Sequence, residues 1–356
     1  MRVIIAGGGT GGHIFPAISI AAEIRRRDSA NEILFIGTKS GFEVDRIQKE
    51  GYNLRFINSG GVVRMGFVRS LKGVLSAIKG IFDSFRIIMD FKPNVVIGVG
   101  GYVSGPVVLA AFILFTPSVI CEQNAVPGLT NRILARFVKR VFATFQMSTS
   151  YFPHDKTMVV GNPVRPEFLT VNSSYKNHSG IKILVLGGSQ GAYKLNVSVP
   201  KAVGMLRRDD LSVVHQTGNR DIEDVKKAYE WYGIKAAVLP FIDDMANVYS
   251  DADLVIGRSG AGTISEVTVL GKPSMLIPYP FSANNHQLEN ARVLERAGAA
   301  VIIEDRLAFP EKIAETISDL LNNNKLHEMM VQSKNLAKPN ATKDIVDEIG
   351  RIVEVG

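Results

Sequence analysis

Residues 3–13 read VIIAGGGTGGH, an apolar run that ends in a glycine-rich turn, and residues 183–192 repeat the pattern as ILVLGGSQGA. A short, continuous apolar run is typical of a strand that is buried on both faces of a sheet. A glycine turn that leads into a helix presents unpaired backbone N–H groups at the positive end of the helix dipole, an arrangement that binds phosphate. Two such units, about half a chain apart, predict two similar nucleotide-binding domains that face each other across a cleft.

The bulk composition predicts two globular domains with anionic partners. A chain of 356 residues, 46% of them hydrophobic, is too long for one ordinary core. The single cysteine, Cys121, excludes an intrachain disulfide framework and indicates a reducing compartment. The formal net charge of +7 favours anionic ligands, although no zinc finger or arginine-rich arm points to nucleic acid. We expect neither a secretory signal nor a transmembrane helix, since the longest apolar run covers only residues 107–115.

Apolar runs and helical patterns alternate along the chain, which predicts an α/β protein of two doubly wound, Rossmann-like domains with parallel sheets. The stretch GNPVRP at 161–166 marks the boundary between them. We therefore expect one domain at 1–163, completed by a C-terminal helix at 341–356, and a second domain at 164–340. Ligands are expected at the carboxyl ends of the strands, in the cleft.

The first glycine turn also fits the dinucleotide fingerprint G-x-G-x-x-G through Gly7, Gly9 and Gly12. That fingerprint needs an acidic residue at the end of the second strand to bind the ribose, whereas this strand ends in Gly-Thr-Lys at 37–39. The sequence therefore favours another phosphate-containing ligand over a nicotinamide cofactor. A tight turn without a ligand stays as the alternative.

Polar residues at strand ends are the candidates for acid–base chemistry. His13 closes the first glycine turn at the start of a helix, where an imidazole would serve as a general base. Glu122 and Asn124 come after a buried strand at 118–121 and are placed to orient a hydroxyl group or to take its proton. Each residue has an alternative in which it only orients its own loop, and the sequence leaves that choice open.

A further glycine turn, GRSGAGTISE at 257–266, predicts a second phosphate-binding helix start. Glu266 lies one turn into this helix and is placed to accept hydrogen bonds from a ribose diol. Asp251 and Asp253 have the spacing of a metal-binding motif, but they precede a strand instead of following one. They would lie at the wrong edge of the sheet, and we predict no metal site.

Residues 64–86 form a basic, amphipathic segment. Cations at 64, 69, 72, 79 and 86 are interleaved with apolar residues and few acids. This pattern is typical of a helix that lies on an anionic membrane surface. A surface helix that packs one face on its own domain is the alternative.

Seven motifs occur along the chain in a fixed order. They are GGTGGH at 8–13, GGYVSGP at 100–106, EQN at 122–124, GNPVR at 161–165, GGSQGA at 187–192, SGAGTISE at 259–266 and HQ at 286–287. Together they closely resemble the MurG family of peptidoglycan N-acetylglucosaminyltransferases, which have the two-domain GT-B fold. The resemblance covers nearly the whole chain.

The resemblance implies an enzyme of bacterial cell-wall synthesis. Such an enzyme would transfer N-acetylglucosamine from UDP-N-acetylglucosamine to the 4-hydroxyl of N-acetylmuramyl-pentapeptide on undecaprenyl diphosphate, which converts lipid I into lipid II. It would invert the anomeric carbon and need neither a cofactor nor a bound metal. It would lie peripherally on the cytoplasmic face of the membrane, with the segment 64–86 in contact with the lipid.

The resemblance also implies roles for single residues. The donor sugar nucleotide would be bound by Thr10, Gly11, Gly12, Asn124, Arg165, Ser189, Ile242, Ala261, Gly262, Thr263, Ile264, Ser265, Glu266 and Gln287. The acceptor diphosphate would face the turns that contain Gly8, Gly9, Gly101, Tyr102 and Ser104. His13 is the first choice for the general base and Glu122 the second. A UDP-N-acetylglucosamine epimerase on the same scaffold and a non-catalytic binding module are the alternatives.

Overall fold

The computed structural model describes residues 1–8, 11–39, 42–59, 67–171, 180–188, 190–322 and 325–355. The chain divides into two compact units. Unit 1 consists of Met1–Arg165 together with Pro339–Gly356, and unit 2 consists of Pro166–Lys338. The sequence places the corresponding boundaries after 163 and before 341.

Within the described residues, unit 1 contains a parallel sheet of seven strands in the order β3-β2-β1-β4-β5-β6-β7. The strands are β1 Arg2–Ala6, β2 Glu32–Gly37, β3 Asn53–Phe56, β4 Val95–Gly98, β5 Ser118–Glu122, β6 Arg140–Ala143 and β7 Thr157–Val159. In the register, Val3 lies beside Ile33 on one side and beside Val95 on the other. The strand order reverses between β1 and β4, as in a doubly wound fold.

The helices of unit 1 cover both faces of this sheet. They are α1 Gly11–Arg27, α2 Phe42–Lys49, α3 Phe67–Phe91, α4 Gly101–Ile113, α5 Leu129–Leu134 and the C-terminal α14 Ala341–Val355. One apolar core lies under α1 and α14, and the other lies under α3, α4 and α5. Ion pairs from Arg27 to Asp347 (2.6 Å) and from Arg140 to Glu348 (2.7 Å) attach α14 to unit 1.

Helices α1 and α4 begin at the glycine turns, before the segments 17–27 and 106–115 for which the sequence pattern by itself predicts a helix. Both contain a proline, Pro16 and Pro106, that suggested a later start. Pro106 has no N–H to donate to the carbonyl oxygen of Tyr102, four residues earlier. That oxygen accepts a hydrogen bond of 2.6 Å from the Ser59 hydroxyl instead, which allows the helix to start early.

Unit 2 contains a parallel sheet of six strands among the residues described, in the order β10-β9-β8-β11-β12-β13. The strands are β8 Ile181–Leu186, β9 Leu211–Gln216, β10 Lys235–Leu239, β11 Leu254–Gly257, β12 Ser274–Leu276 and β13 Ala300–Ile302. The helices are α6 Glu167–Thr170, α7 Tyr193–Met205, α8 Ile222–Trp231, α9 Met245–Asp251, α10 Ala261–Leu270, α11 His286–Arg296, α12 Pro310–Asn322 and α13 Lys325–Asn335.

The two sheets confirm the predicted α/β class, and the apolar runs at 3–6, 118–121 and 183–186 lie in β1, β5 and β8. The sequence did not predict α13, because this helix buries only Met329 and Ser333 and its apolar periodicity is weak. In the part of the chain that the structure describes, no helix has both the length and the apolar character that crossing a membrane requires.

Candidate functional site

Each unit has a switch point, which is the place where the strand order reverses. It lies between β1 and β4 in unit 1 and between β8 and β11 in unit 2. Ligands of doubly wound sheets bind at the carboxyl ends of the two strands that flank such a point. The four glycine turns predicted from the sequence follow these four strands, so that the sheet topology places them in two pairs.

In unit 1 the two turns are in direct contact. Gly100 and Gly101 have φ values of +104° and +77°, and a Cβ at Gly101 would collide with the carbonyl oxygen of Gly8. The buried Ser104 hydroxyl accepts a hydrogen bond from the Gly100 N–H (2.9 Å) and lies 2.8 Å from the carbonyl oxygens of Ala6 and Gly100. Ser104 therefore fixes both turns, and its hydroxyl is occupied within the unit.

His13 lies at the start of α1, close to the second turn. Its Nδ1 is 3.2 Å from Oε1 of Gln123. The Gln123 Nε2 in turn donates to the carbonyl oxygen of Val99 at 3.0 Å. A Cβ on Gly100 would lie 2.6 Å from the imidazole atoms Cε1 and Nδ1, so only glycine permits this ring position.

Glu122, at the end of β5, is almost completely buried, with 3% of its surface exposed. One carboxylate oxygen accepts from the Asn124 N–H (2.9 Å) and side chain (3.3 Å), and the other accepts from the Gly128 N–H (3.3 Å) and the Asn131 side chain (2.9 Å). Burial raises the pKa of Glu122 above its ordinary value, and these hydrogen bonds offset that only in part. The carboxylate holds the loop that carries Asn124.

In unit 2 the turn after β8 lies on the backbone that follows β9. Gly191 has a φ of +76°, and a Cβ there would collide with the carbonyl oxygen of Thr217. The buried side chain of Gln216 joins this turn to a second one. Its Nε2 donates to the Gly188 carbonyl at 3.0 Å, and its Oε1 accepts from the Ile242 N–H at 3.1 Å.

A buried polar cluster supports the same region from within the core. His215 Nδ1 lies 3.1 Å from the Tyr229 hydroxyl and its Nε2 lies 3.1 Å from the Asn196 side-chain oxygen. The Asn196 Nδ2 donates to the Thr217 carbonyl (2.9 Å) and to Asp221 (2.7 Å). Burial lowers the pKa of His215 to about 3, so this imidazole is neutral and ties β9 to α7 and α8.

The N-terminus of α10 follows β11, with Gly260 in the N-cap position. The residues at 261, 264 and 265 are buried, while Gly262, Thr263 and Glu266 are partly exposed. The Ser265 hydroxyl bonds to the carbonyl oxygen of Ala261 at 2.9 Å, within the helix. Of the predicted donor-binding residues of α10, the buried ones at 261, 264 and 265 can therefore offer a ligand only their backbone groups.

Gln287 lies in the first turn of α11 and is held by two turns. Its Oε1 accepts from the Tyr279 N–H at 2.9 Å, and its carbonyl oxygen accepts from the Ser259 hydroxyl at 2.7 Å. The Asn290 side chain donates to the Ser259 carbonyl at 3.2 Å. The turn before α10 and the start of α11 thus form one hydrogen-bonded unit, with Gln287 oriented by its oxygen.

Arg258 is a further residue of this unit that sequence reasoning missed. Its guanidinium is paired with Asp305 at 2.6 Å and donates to the carbonyl oxygens of Ile277 (2.9 Å) and Pro278 (3.2 Å). It therefore fixes the segment that leads to Gln287. Gln123 and Gln216 were missed as well. Each lies directly at a strand end, and this position could have marked it as a candidate site residue.

The remaining predicted residues occupy different situations. The Tyr102 side chain is 58% exposed at the start of α4, and the Arg165 guanidinium lies 4.9 Å above the Phe15 ring of α1. Gly11 and Gly12 form the first residues of α1. Gly9, Thr10 and Ser189 lie outside the described residues, as do positions 64–66 of the basic segment.

Asp251 and Asp253 lie at the amino-terminal ends of β8 and β11. Asp253 accepts from the Lys182 N–H at 2.8 Å, and Asp251 lies 3.7 Å from the Lys182 ammonium. Across the described ranges, no three His, Cys, Asp or Glu residues form a group that could hold a metal ion.

Two domain models match this architecture. Residues 3–143 match the N-terminal domain of glycosyltransferase family 28, and residues 182–349 match its C-terminal domain. Two Rossmann-like sheets with glycine turns at both switch points, together with these matches, define a glycosyltransferase of the GT-B type.

Two relatives narrow this class. The chain is 44% identical, over 98% of its length and 97% of the relative's, to the UDP-N-acetylglucosamine–N-acetylmuramyl-(pentapeptide) pyrophosphoryl-undecaprenol N-acetylglucosamine transferase of Syntrophus aciditrophicus. The crystal structure of Acinetobacter baumannii MurG superposes with a TM-score of 0.81 at 32% identity, covering 98% of this chain and 99% of that one. The chain belongs to the MurG family.

A third comparison shows the fold alone. The UDP-N-acetylglucosamine 2-epimerase of Neisseria meningitidis, bound to UDP-N-acetylglucosamine, superposes with a TM-score of 0.68 at 15% identity, covering 99% of this chain and all of that one (100%). The scaffold is therefore shared with an isomerase, so the fold by itself does not distinguish the two reactions.

Proposed function

We propose that this glycosyltransferase moves N-acetylglucosamine from UDP-N-acetylglucosamine to the 4-hydroxyl of N-acetylmuramyl-pentapeptide on undecaprenyl diphosphate. The observation that carries the proposal is the 44% identity, over 98% of the chain, to a transferase named for this reaction. The product would be lipid II, the disaccharide precursor of peptidoglycan.

Unit 2 would bind the donor at its switch point. In this proposal the diphosphate lies on the N-terminus of α10, where the first N–H groups and the helix dipole favour negative charge, and beside the turn that contains Ser189. Glu266 accepts hydrogen bonds from the ribose diol. The Ile242 N–H is engaged by Gln216, so Ile242 would bind the uracil through its carbonyl oxygen. Gln287 would donate from its amide nitrogen to sugar hydroxyls, since its oxygen is held by Tyr279.

Unit 1 would bind the acceptor. The contacting turns that contain Gly8 and Gly101 would face the acceptor diphosphate, while Ser104 would hold them in place without touching it. The family resemblance assigns Thr10, Gly11, Gly12, Asn124 and Arg165 of this unit to the donor sugar nucleotide.

His13 would act as the general base. As the acceptor oxygen bonds to the anomeric carbon, its proton passes to His13, the bond from that carbon to the diphosphate breaks and UDP leaves with the electron pair. We favour His13 over Glu122, because both carboxylate oxygens of Glu122 already accept two hydrogen bonds. Glu122 would position Asn124.

The reaction would not need a metal ion. Leaving UDP carries developing negative charge, which the N-terminus of α10 can stabilise by about 1 kcal/mol and up to about 2 kcal/mol in a partly buried geometry. Arg165, whose charge is permanent, would contribute in the same way.

A lipid-linked acceptor also implies contact with a membrane, and unit 1 has a surface suited to it. Side chains of α3 are described from Ile78 onward, and Phe82 is 64% exposed. Helix α4 packs on α3 and α5, and Phe115, two residues after its end, is 94% exposed. Among the described side chains, the exposed apolar residues of these helices and of the segments just after α4 and α5 are Ile78, Phe82, Met89, Phe112, Ile113, Phe115, Leu129, Ile133 and Phe137. Exposed cations of the same helices and of the turn after α5 are Lys79, Arg86, Arg136 and Lys139.

We propose that this apolar, cation-bearing face lies on anionic lipid, which would make the enzyme peripheral to the cytoplasmic membrane face. Co-sedimentation with vesicles of anionic phospholipid should fall severalfold for Phe82→Gln and Phe115→Asn. Trp231→Gln, which changes an aromatic residue of unit 2 that is 84% exposed, is the matched control and should bind as the parent does. Equal binding by all of these proteins would contradict the proposed face.

The reaction is tested by UDP release from UDP-N-acetylglucosamine in EDTA, with and without a short-chain lipid I analogue. Acceptor-dependent release supports a metal-independent transferase, and formation of an epimer without acceptor would identify an epimerase. Donor binding without either product would identify a binding module. His13→Ala should lower kcat by about 10²- to 10⁴-fold, whereas His154→Ala, which changes an exposed histidine of the same unit, should not.

A further inference from the structure

The orientation of the Gln123 side chain is set by the backbone. Gln123 is 2% exposed, and its Nε2 lies 3.0 Å from the carbonyl oxygen of Val99. A carbonyl oxygen can only accept, so the atom that faces it must be the amide nitrogen. The other end of the amide, Oε1, is therefore the atom that faces His13 at 3.2 Å.

An amide oxygen can only accept, and this decides the state of the imidazole. Neutral histidine has one N–H, and its position is set by the partner of either ring nitrogen. With Gln123 Oε1 beside Nδ1, the proton of neutral His13 belongs on Nδ1, and the basic lone pair belongs on Nε2. The backbone of Gly100, where no Cβ fits, keeps the ring in this place.

We propose that Gln123 is a positioning residue for the transfer reaction, which fixes His13 as the Nδ1-protonated tautomer with Nε2 as the basic nitrogen. The inference rests on the proposed role of His13 as general base. The proton of the acceptor hydroxyl then passes to Nε2 while its oxygen bonds to the anomeric carbon and UDP departs. The resulting imidazolium keeps its Nδ1–H on Gln123.

The ionisable residues near Gln123 in the sequence, Cys121 and Glu122, do not orient the His13 ring. Glu122 commits both carboxylate oxygens to Asn124, Gly128 and Asn131. Burial raises the pKa of the Cys121 thiol to about 12, so it stays protonated. A neutral amide orients the imidazole without adding a charge to it, unlike the carboxylate that supports histidine in many hydrolases.

Two substitutions separate the tautomer from simple packing. Gln123→Met and Gln123→Glu are close in size, and each removes the amide donor from the Val99 carbonyl. Burying a carboxylate costs the second variant more stability, so a higher kcat in that variant cannot come from better packing. Only the carboxylate of the second variant still accepts from Nδ1–H. We expect Gln123→Met to lower kcat at least about tenfold with little change in KM for the donor, since a misplaced base loses much of its effect.

Gln123→Glu should recover most of that loss. Its carboxylate also favours the imidazolium, so the acidic limb of the pH–rate profile should move to higher pH by about 1 unit or more. A purely structural role for Gln123 predicts equal loss of kcat in the two variants and an unmoved limb, and that result would overturn the inference.

A direct readout uses ¹⁵N-labelled histidine. The chain has six histidines, so the ring nitrogens of His13 can be assigned by comparison with His13→Ala. At pH 8 the parent protein should show a protonated Nδ1, and Gln123→Met should show a mixture of tautomers. A proton on Nε2 in the parent would overturn the inference. Full kcat in His13→Ala would instead refute the proposed base, and the tautomer measurement keeps the two failures apart.

Discussion

The Gly191→Ala substitution tests how the turn after β8 is built. Gly191 has a φ of +76°, a left-handed conformation that costs an L-residue about 1–2 kcal/mol. Gly233 has a similar φ of +65°, but no atom lies within 4 Å of a Cβ at this position. The Gly233→Ala variant therefore carries the conformational cost alone and is the matched control.

At Gly191 the added Cβ would lie too close to backbone atoms of the peptide bond between Thr217 and Gly218. It would overlap the Thr217 carbonyl oxygen and would lie 2.8 Å from its carbon, whereas ordinary contact begins at about 3.4 Å. Neither segment can move freely, because Gln216 bonds to Gly188 and the Thr217 N–H bonds to Leu239 at 2.9 Å. Separating them disrupts about two hydrogen bonds at about 1 kcal/mol each and adds about 1–3 kcal/mol of strain.

The expected loss of stability is therefore about 4 kcal/mol or more for Gly191→Ala, against about 1–2 kcal/mol for Gly233→Ala. For a unit the size of Pro166–Lys338 this corresponds to a fall in Tm of about 8–16 °C against about 2–8 °C. Differential scanning calorimetry measures both values, and the KM for UDP-N-acetylglucosamine should rise only for Gly191→Ala. Equal Tm values for the two variants would refute the steric argument.

Three further predictions concern both units. Ser104→Ala removes the hydrogen-bond partner of the buried Gly100 N–H and should lower the free energy of unfolding by about 1–3 kcal/mol. Ser148→Ala should lower it by less, because the Phe145 carbonyl that accepts from the Ser148 hydroxyl also accepts from a backbone N–H. Urea unfolding measures both values. Burial raises the pKa of Glu348, but hydrogen bonds from two arginines outweigh this and lower it below its ordinary 4.5, so the carboxylate stabilises the fold above about pH 4.5 and loses that effect as the pH falls. The Tm difference between the parent and Glu348→Gln should therefore shrink below pH 4.5, and a constant difference would contradict this. Gln216→Leu should raise the KM for the donor about tenfold and leave kcat nearly unchanged, because it removes the hydrogen bonds by which Gln216 joins two turns. Steady-state kinetics measure both constants, and an unchanged KM would contradict this prediction.

The strands and the four glycine turns were predictable because their signals are local. A strand buried on both faces needs a continuous apolar run, and a chain that reverses at a sheet edge needs residues without Cβ atoms. The starts of α1 and α4 were not predictable in this way. The hydrogen bond from Ser59 that compensates for Pro106 joins residues that are distant in sequence.

The candidate site was predictable as a set of residues but not as a set of roles. The sequence placed Ser104 and Glu122 where a ligand would be, and the structure engages both side chains in hydrogen bonds within unit 1. Hydrogen-bonding capacity is limited, so a side chain that is saturated by its own fold acts on the ligand only indirectly. Gln123 and Gln216 show the reverse case, because nothing in a strand-end glutamine indicates which backbone groups it will join.

The sequence by itself thus determined the fold class, the glycine turns and the family, since each depends on short motifs and their order. Only the tertiary structure decided which turns meet. The register of β1 beside β4 and of β8 beside β11 pairs turns that are far apart in the chain, and this pairing follows from strand order, which no local pattern encodes. The contact between Gln123 and His13, and with it the orientation of the proposed base, depends on the same long-range packing.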